Sequence, residues 1–555
     1  MRVLLTGATG FIGSRLLEIL LETAGIDQVM CLSRGCGLPA QARVKWISGS
    51  VTSAAWHDEV GPVDVVVHAA ANASFGGGAD HDTVNHIGTV GVLEFARKAG
   101  ARHFIFVSTI GAVDRAPTDR ARAPLDRHST PAPRSAYGRA KLRAEVAVQQ
   151  SGLTWTIVRP AWVYGKGMRL NSHLCVLASI ARNRRLIALF DWPGRVSVVH
   201  VDDLCLAVAK IVVSGGCRNE ILFAASEAVS IGDIFRCFGE ASGFAAAARL
   251  PVFRWPVRRL ISRIHGCLPL TIANLFIDYL TCETKPFRDW IAPQEPQTFQ
   301  SRFGDVMSVV DPLRKVWLVT GAGSGIGRSL CQILSARGTK VIGVDRDFPD
   351  PKPETAVCIT LDLTTPDAVS QLRDVVYRAD VAVVVNNAGL GFRGPFIAIT
   401  PEQVQSTLAV NVEFPLRFTH AIIRILAKRR GTIVNVASSM AGVPLPGMCL
   451  YAASKGFIQS WSIGLAEELR DQVHVLTVAP TGTNTNFQHA AGVKGGQKRL
   501  MDPDHVAAAI VRGASSGKSY CFVGPWQVRV ALFLGGLLPG PFQARLWGLL
   551  FGTLR

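Results

Sequence analysis

The 555-residue sequence has no C-x-x-C pair among its twelve cysteines and no cysteine–histidine spacing of the metal-binding kind. Neither a disulfide framework nor a structural zinc site is indicated, and the cysteines read as the reduced thiols of a cytosolic protein. Met1-Arg2-Val3-Leu4-Leu5-Thr6-Gly7 runs straight into a strand and a glycine loop, leaving no room for the charged and apolar regions of a secretory leader. Acidic residues are in deficit, 41 against 59 Lys and Arg, for a formal net charge of +18. A basic balance suits nucleic acid, a membrane surface or anionic ligands. No zinc-finger or RNA-binding signature accompanies it and the arginines are spread along the chain, so nucleic acid is not an expected partner. The apolar tail Val528–Leu554 is broken by Arg529, Gly535-Gly536, Pro539-Gly540-Pro541 and Arg545. A spanning helix needs about 20 unbroken apolar residues, so a transmembrane anchor is not expected there. With 48% hydrophobic and 18% charged residues, the chain is globular and long enough for two or more domains.

Two stretches carry most of the chemistry, and the clearer is Asn435–Lys455, NVASSMAGVPLPGMCLYAASK. An apolar strand ends in two serines, a Gly/Pro loop follows, and Tyr451 then opens a helix with Lys455 one turn on, on the same face. A lysine ammonium beside a phenol is expected to favour the phenolate and lower its pKa. Such a pair suits proton transfer to or from an alcohol or carbonyl oxygen, with a serine hydroxyl on the same oxygen. It still needs a hydride carrier.

Upstream of it, Val316-Trp317-Leu318-Val319 leads into Thr320-Gly321-Ala322-Gly323-Ser324-Gly325-Ile326-Gly327 and a helical pattern. A glycine turn between strand and helix lets backbone approach a pyrophosphate at the helix N-terminus. The strand Lys340–Val344 ends at Asp345, an acidic residue suited to a ribose 2′-hydroxyl and hostile to a 2′-phosphate. The first third of the chain repeats the theme: residues 2–5 lead into Thr6-Gly7-Ala8-Thr9-Gly10-Phe11-Ile12-Gly13. The strand Gln28–Leu32 ends at Ser33-Arg34, a pair suited to a 2′-phosphate or simply a solvated strand end. Strands follow at Val63–Val67, ending in His68-Ala69-Ala70, and at His103–Val107, ending in Ser108-Thr109. Tyr137-Gly138-Arg139-Ala140-Lys141 precedes a helix over 138–150. The alternation predicts an α/β protein with two tandem, doubly wound parallel sheets of the Rossmann type.

In their order, T-G-A-T-G-F-I-G, H-A-A, V-S-T, Y-G-R-A-K, V-R-P-A-W-V-Y-G and H-V-D-D-L make residues 1 to about 245 resemble the extended branch of the short-chain dehydrogenase/reductase family. That branch holds nucleotide-sugar epimerases and dehydratases, reductases and hydroxysteroid dehydrogenases. T-G-x-x-x-G-x-G, N-N-A-G, S-x-A-G and Y-x-x-x-K make residues 314 to about 525 resemble its single-domain branch. The resemblance implies catalytic Tyr137, Lys141 and Thr109 (Ser108 the fallback) in the first half. In the second it implies Asn411, Ser439, Tyr451 and Lys455, with Ser439 chosen over Ser438 as the serine of S-x-A-G. Implied cofactor contacts are Gly7, Gly10, Phe11, Ile12, Gly13, Ser33, Arg34, His68, Ala69 and Ala70 upstream. Downstream they are Gly321, Ser324, Gly325, Ile326, Gly327, Asp345, Asp362, Leu363, Asn387, Ala388, Gly389, Pro480, Thr483 and Thr485. No metal is implied. Ser50 departs from the family's usual aspartate near the adenine.

The two halves keep register, since first glycine to tyrosine is 137 − 7 = 130 and 451 − 321 = 130 residues. Their glycine spacings differ, which reads as fusion of two distant relatives. Domains are expected at 1–305, with a substrate-covering part over about 165–305, and at 314–555, with a linker at 306–313 that begins to form in the Pro/Gln-rich Pro286–Gln297. The covering part holds an arginine patch (Arg182, Arg184, Arg185) and a basic-apolar run, Arg254–Leu280, that reads as a lid, a membrane-surface helix or an ordinary amphipathic helix. The expected activity is bifunctional: an NAD-dependent carbonyl reductase or alcohol dehydrogenase downstream, and an NADP-dependent relative upstream. A sugar epimerase or a cofactor-binding scaffold is the alternative for the first half. The substrate expected is small and hydrophobic (lipid, steroid or polyketide-like). Peripheral membrane contact and self-association are further options, and the tail reads as a pair of interfacial helices, a flap or a partner contact.

Overall fold

The computed structural model describes residues 1–34, 42–73, 80–114, 124–169, 172–183, 190–241, 250–251, 280–291, 298–348, 357–485 and 500–550. Arg184, Arg185, the side chain of Arg182 and nearly all of Arg254–Leu280 lie outside that description. The chain forms two compact units, Met1–Met168 with Ser172–Val306, and a second whose body is Met307–Arg555.

In the first unit seven parallel strands run in the order Val44–Ser48, Gln28–Ser33, Arg2–Thr6, Val65–His68, His103–Val107, Trp155–Pro160, Glu220–Ala224. The strands are near-continuous apolar runs because helices cover both faces. On one face Leu16 and Leu20 of helix Phe11–Glu22 meet Leu204 and Val208 of helix Val201–Ser214. On the other, Trp56, Val92 and Ala144 pack over Leu4 and Phe104. The stretch expected to begin a linker starts as a helix, Lys285–Ile291. Its Phe287 is fully buried in the first of those cores, and Pro286 is tolerated because it sits in the first turn. The expected linker at 306–313 is likewise structured, by helix Phe303–Val310 and a turn at Pro312–Arg314 capped by Asp311.

The second unit repeats the strand order: Val357–Thr360, Val341–Asp345, Val316–Thr320, Val381–Asn386, Thr432–Val436, His474–Pro480, Tyr520–Val523. All neighbours are parallel. In each sheet the strand order reverses beside the first strand, which opens a crevice at the strands' carboxyl ends. The glycine loops and both tyrosine helices (Ala136–Gln149 and Cys449–Glu468) begin at that end. Two short helices, Trp526–Gly536 and Gly540–Leu550, close the second unit. Among the described residues no helix is long and apolar enough to cross a membrane.

Candidate active sites

Each glycine loop is closed by contacts that only glycine permits. Gly7 and Gly321 have φ of +77° and +68°, in the left-handed region where a Cβ is strained. A Cβ on Gly13 would stand 2.0 Å from the Gly7 carbonyl, and one on Gly327 would stand 2.0 Å from that of Gly321. On its other side, Gly7 lies against Ala69 and Ala70, and Gly321 against Asn387 and Ala388. The Asn387 amide donates to the carbonyls of Thr320 and Gly321, bracing the loop. The helices that follow start at Phe11 and Gly325, with Gly10 and Ser324 at their N-caps and no side chain capping either. Their N–H groups therefore point at the crevice, where a pyrophosphate is favoured. Asp345 ends its strand with Oδ2 accepting from Gly323 N at 2.8 Å, which sets the carboxylate beside the loop where a ribose would lie. Asp362 is held by Thr364 N and Oγ1, and these bonds keep its carboxyl below the usual range. Thr485 packs on Gly325, and the Thr483 hydroxyl donates to Thr481 O. Pro480 ends its strand, and its carbonyl accepts from Ser439 N. Ser33 is buried at its strand end and Arg34 is exposed next to it. The residues present fit a dinucleotide in each half.

His68 does not belong to that set. It is buried, with Nδ1 bonded to Thr6 Oγ1 at 2.6 Å and Nε2 to Thr89 Oγ1 at 3.0 Å. Both nitrogens are taken inside the protein, and burial, with the nearby Lys141, pushes the ring down to about 3. It ties strand to helix, while the backbone after it meets the glycine loop.

Beyond the loops, each tyrosine helix carries its lysine back onto the sheet. Lys455 is buried and its Nζ donates to Val436 O at 2.9 Å; Lys141 does the same to Val107 O at 2.7 Å. Burial lowers Lys455 to about 8, and it lowers Lys141 to about 7 against the opposing charge of Glu145. Tyr451 moves up from the ordinary phenol value, because burial outweighs its hydrogen bond with Ser438. This is opposite to the direction expected from the sequence: the lysine charge favours the phenolate, but desolvating the phenolate costs more.

That hydrogen bond also bears on the choice of serine. Ser438, not Ser439, meets the phenol, and its Oγ accepts from Met440 N at 3.1 Å. The Ser439 hydroxyl is buried with no partner among the described atoms. The serine of S-x-A-G is thus not the one that meets the phenol here; the Ala441 N–H closes a turn onto the Ser438 carbonyl at 3.0 Å. Upstream the opposite selection holds. Ser108 donates to Glu145, which also takes two bonds from Arg159, the shorter 2.6 Å, in a buried cluster. Thr109 Oγ1 accepts from Gly111 N at 3.2 Å, which leaves its O–H to donate. The Gly111 carbonyl lies against Gly138, so the turn carrying Thr109 abuts the start of the helix carrying Tyr137. His81 stands edge-on to the Tyr137 ring at 5.8 Å.

Asn411 occupies a single π-turn, Ala409–Glu413, the kind of helix irregularity that recurs at functional sites. Its amide clasps Leu390 by N and O, both at 2.8 Å, and reaches Ser454 Oγ at 2.9 Å. Its counterpart in the first half, Asn85, is not among the site residues expected from the sequence. That residue sits in an equivalent π-turn, Thr83–Ile87, and clasps Asn72 by N at 2.7 Å and O at 2.9 Å. The signal was present as Val84-Asn85 after the fourth strand, the same pair of residues as Val410-Asn411.

Glycine cradle, strand-end hydroxyl, and tyrosine and lysine one turn apart define a Rossmann-type NAD(P)-dependent oxidoreductase. Two family models match the chain: the NAD dependent epimerase/dehydratase family over residues 3–221, and short chain dehydrogenase over 315–494. L-xylulose reductase of Bos taurus is 34% identical over 185 residues, 31% of this chain and 74% of that protein. The 3-oxoacyl-[acyl-carrier-protein] reductase FabG of Vibrio cholerae is 29% identical over 226 residues, 37% of this chain and 92% of that protein. Among solved structures, a short-chain dehydrogenase from Sphingobium yanoikuyae in complex with NADPH aligns at 26% identity over 40% of this chain and 94% of its own, with a TM-score of 0.36. The Bordetella bronchiseptica enzyme WbmG in complex with NAD aligns at 21% identity over 55% and 93%, with a TM-score of 0.43. The chain belongs to the short-chain dehydrogenase/reductase family, with an epimerase-like first half and a short-chain dehydrogenase second half.

Proposed function

We propose that the protein is a bifunctional oxidoreductase in which each half interconverts an alcohol and a carbonyl on a small hydrophobic molecule, and that it makes peripheral contact with membranes. The observation that carries the two-site reading is the repeated bond from a buried lysine Nζ to a strand-end carbonyl, with the tyrosine one turn earlier. In the second half Tyr451 gives or takes the oxygen's proton, Ser438 orients that oxygen, and Lys455, fixed by Val436, faces the crevice beside Gly389. In the first half Tyr137, Thr109 and Lys141 take the same parts. A bound nicotinamide supplies or accepts the hydride. Asp345 favours NAD(H) downstream and Ser33-Arg34 favours NADP(H) upstream. The carbonyl-reductase reading draws support from relatives named as reductases of 3-oxoacyl groups, whose substrates carry acyl chains.

A second reading, nucleotide-sugar epimerisation or dehydration in the first half, is favoured by the epimerase/dehydratase match over residues 3–221. Screening lipid, steroid and polyketide ketones against nucleotide sugars, with NADH and NADPH followed separately, tests the proposal. Turnover of the ketones by both sites is expected, and turnover of nucleotide sugars alone would overturn it.

A further inference from the structure

The helices Trp526–Gly536 and Gly540–Leu550 form a hairpin that packs where Gly535 meets the indole of Trp547. A Cβ at 535 would come within 2.6 Å of that ring, so glycine is what lets the helices approach. Trp547 and Leu532 face inward, onto Leu445 of the loop after the serines and Ala452 of the tyrosine helix. The inner face is therefore explained. The outer face is not: Trp526, Phe533, Leu537, Phe542, Leu549 and Leu550 are each 63–70% exposed. Soluble monomers seldom show contiguous apolar patches beyond a few hundred Å², and each Å² left wet forgoes about 25 cal/mol.

The charge on this segment has one sign. No Asp or Glu follows Asp504, whereas Arg512, Lys518, Arg529, Arg545 and Arg555 do, and Arg529 and Arg545 are exposed on the hairpin itself. We propose that the hairpin docks the protein on a lipid bilayer carrying anionic headgroups. A second copy of the chain would bring the same arginines and no carboxylate from this segment, while anionic headgroups supply the missing sign. Each helix of 11 residues is about 16 Å long, against a hydrocarbon core of about 30 Å. The hairpin therefore lies in the interface with its aromatic and leucine side chains immersed and its arginines at headgroup level. Beside the Trp547 contact an open apolar cleft of about 460 Å³ lies between the second helix and the tyrosine helix, lined by Val443, Leu445, Cys449, Ala452 and Ala544 among others. Its lining suits an acyl chain. This deepens the proposed function, resting on it for the substrate but not for the docking.

The test is flotation of the full-length chain with phosphatidylcholine vesicles, with and without phosphatidylglycerol. Binding is expected only when phosphatidylglycerol is present, weakening with salt. Arg529→Glu with Arg545→Glu is expected to weaken it by more than tenfold, at about fivefold for each basic residue lost. Phe533→Asp with Leu537→Asp is expected to abolish it, with NADH binding and solution mass unchanged. Failure of the wild-type chain to float, flotation indifferent to the Phe533/Leu537 pair, or a solution mass halved by that pair would overturn the proposal, the last because a second copy would then cover the face. The outcomes separate from the functional reading: lipid-ketone turnover without flotation sinks the docking alone, and flotation without any ketone turnover sinks the function alone.

Discussion

Lys455 Nζ donates to the carbonyl of Val436 at 2.9 Å. The bond places an ammonium, lowered to about 8 by burial, at the end of the strand that carries the serines. Replacing it with an apolar chain of similar length, Lys455→Met, is expected to cut kcat by roughly 10²- to 10⁴-fold without lowering Tm. The variant removes a buried charge, although it leaves the Val436 carbonyl without this donor. A structural lysine would show the reverse, with Tm falling and kcat kept. Steady-state kinetics beside thermal unfolding separates the two.

The two adjacent serines are expected to differ sharply. Ser438→Ala removes the hydroxyl on the phenol and should lower kcat by about 10²- to 10³-fold. Ser439→Ala removes a buried hydroxyl with no partner among the described atoms, so it should cost less than tenfold and should not lower Tm. Reversed kinetic losses would restore the assignment that the S-x-A-G pattern suggests.

Because burial raises Tyr451 above the ordinary phenol value of 10, the phenol is protonated throughout the neutral range in the free enzyme. Reduction, which needs a proton donor, is expected to hold through neutral pH and to decline only in alkali. Oxidation, which needs the phenolate, is expected to climb with pH. A kcat/KM profile for reduction that already falls below pH 7, beneath the Lys455 value of about 8, would contradict the assignment. Folding follows a related sign. Lys141 and Lys455 titrate near 7 and 8 in the folded chain and at 10.5 as free side chains, so the unfolded chain binds more protons in that window. Their contribution to stability therefore rises with pH across it.

Asn85 and Asn411 each hold both backbone groups of a loop residue, Asn72 and Leu390. Alanine at either leaves an N–H and a C=O without their partner at about 1–3 kcal/mol per group if no water replaces it. Each variant is expected to lower Tm and to slow the turnover of its own half only, measured with NADH and NADPH as separate reductants. Loss in the other half would show that the clasp is not local.

Motif order and the alternation of apolar strands with helices made both sheets legible before any coordinates, because each motif must fall at a strand end. What escaped depended on contacts between distant residues. The hidden partner of Asn85 is 13 positions away at Asn72, and His68 takes both its bonds from residues 21 or more positions off. The Tyr451 shift turned on burial, which pairwise charge counting ignores. The packing of Trp547 on Leu445 crosses about a hundred residues of sequence, so the tail could be read as a pair of short helices but not seated.

Cofactor choice is readable with one site silenced. In a Tyr137→Phe background, the Asp345→Ala variant is expected to raise NADPH use at the second site at least tenfold, since the carboxylate that repels a 2′-phosphate is gone. In a Tyr451→Phe background, Arg34→Ala should weaken NADPH and leave NADH unchanged. No shift in either background would refute the assigned preferences.

The most direct measurement compares Tyr137→Phe and Tyr451→Phe, made separately in the full chain and assayed with both reduced cofactors. Two working sites predict that each variant loses one activity by roughly 10²-fold or more and keeps the other, while both still bind NADH and NADPH. If Tyr137→Phe leaves every turnover unchanged while NADPH still binds, the first half is a cofactor-holding scaffold and the two-enzyme reading is wrong.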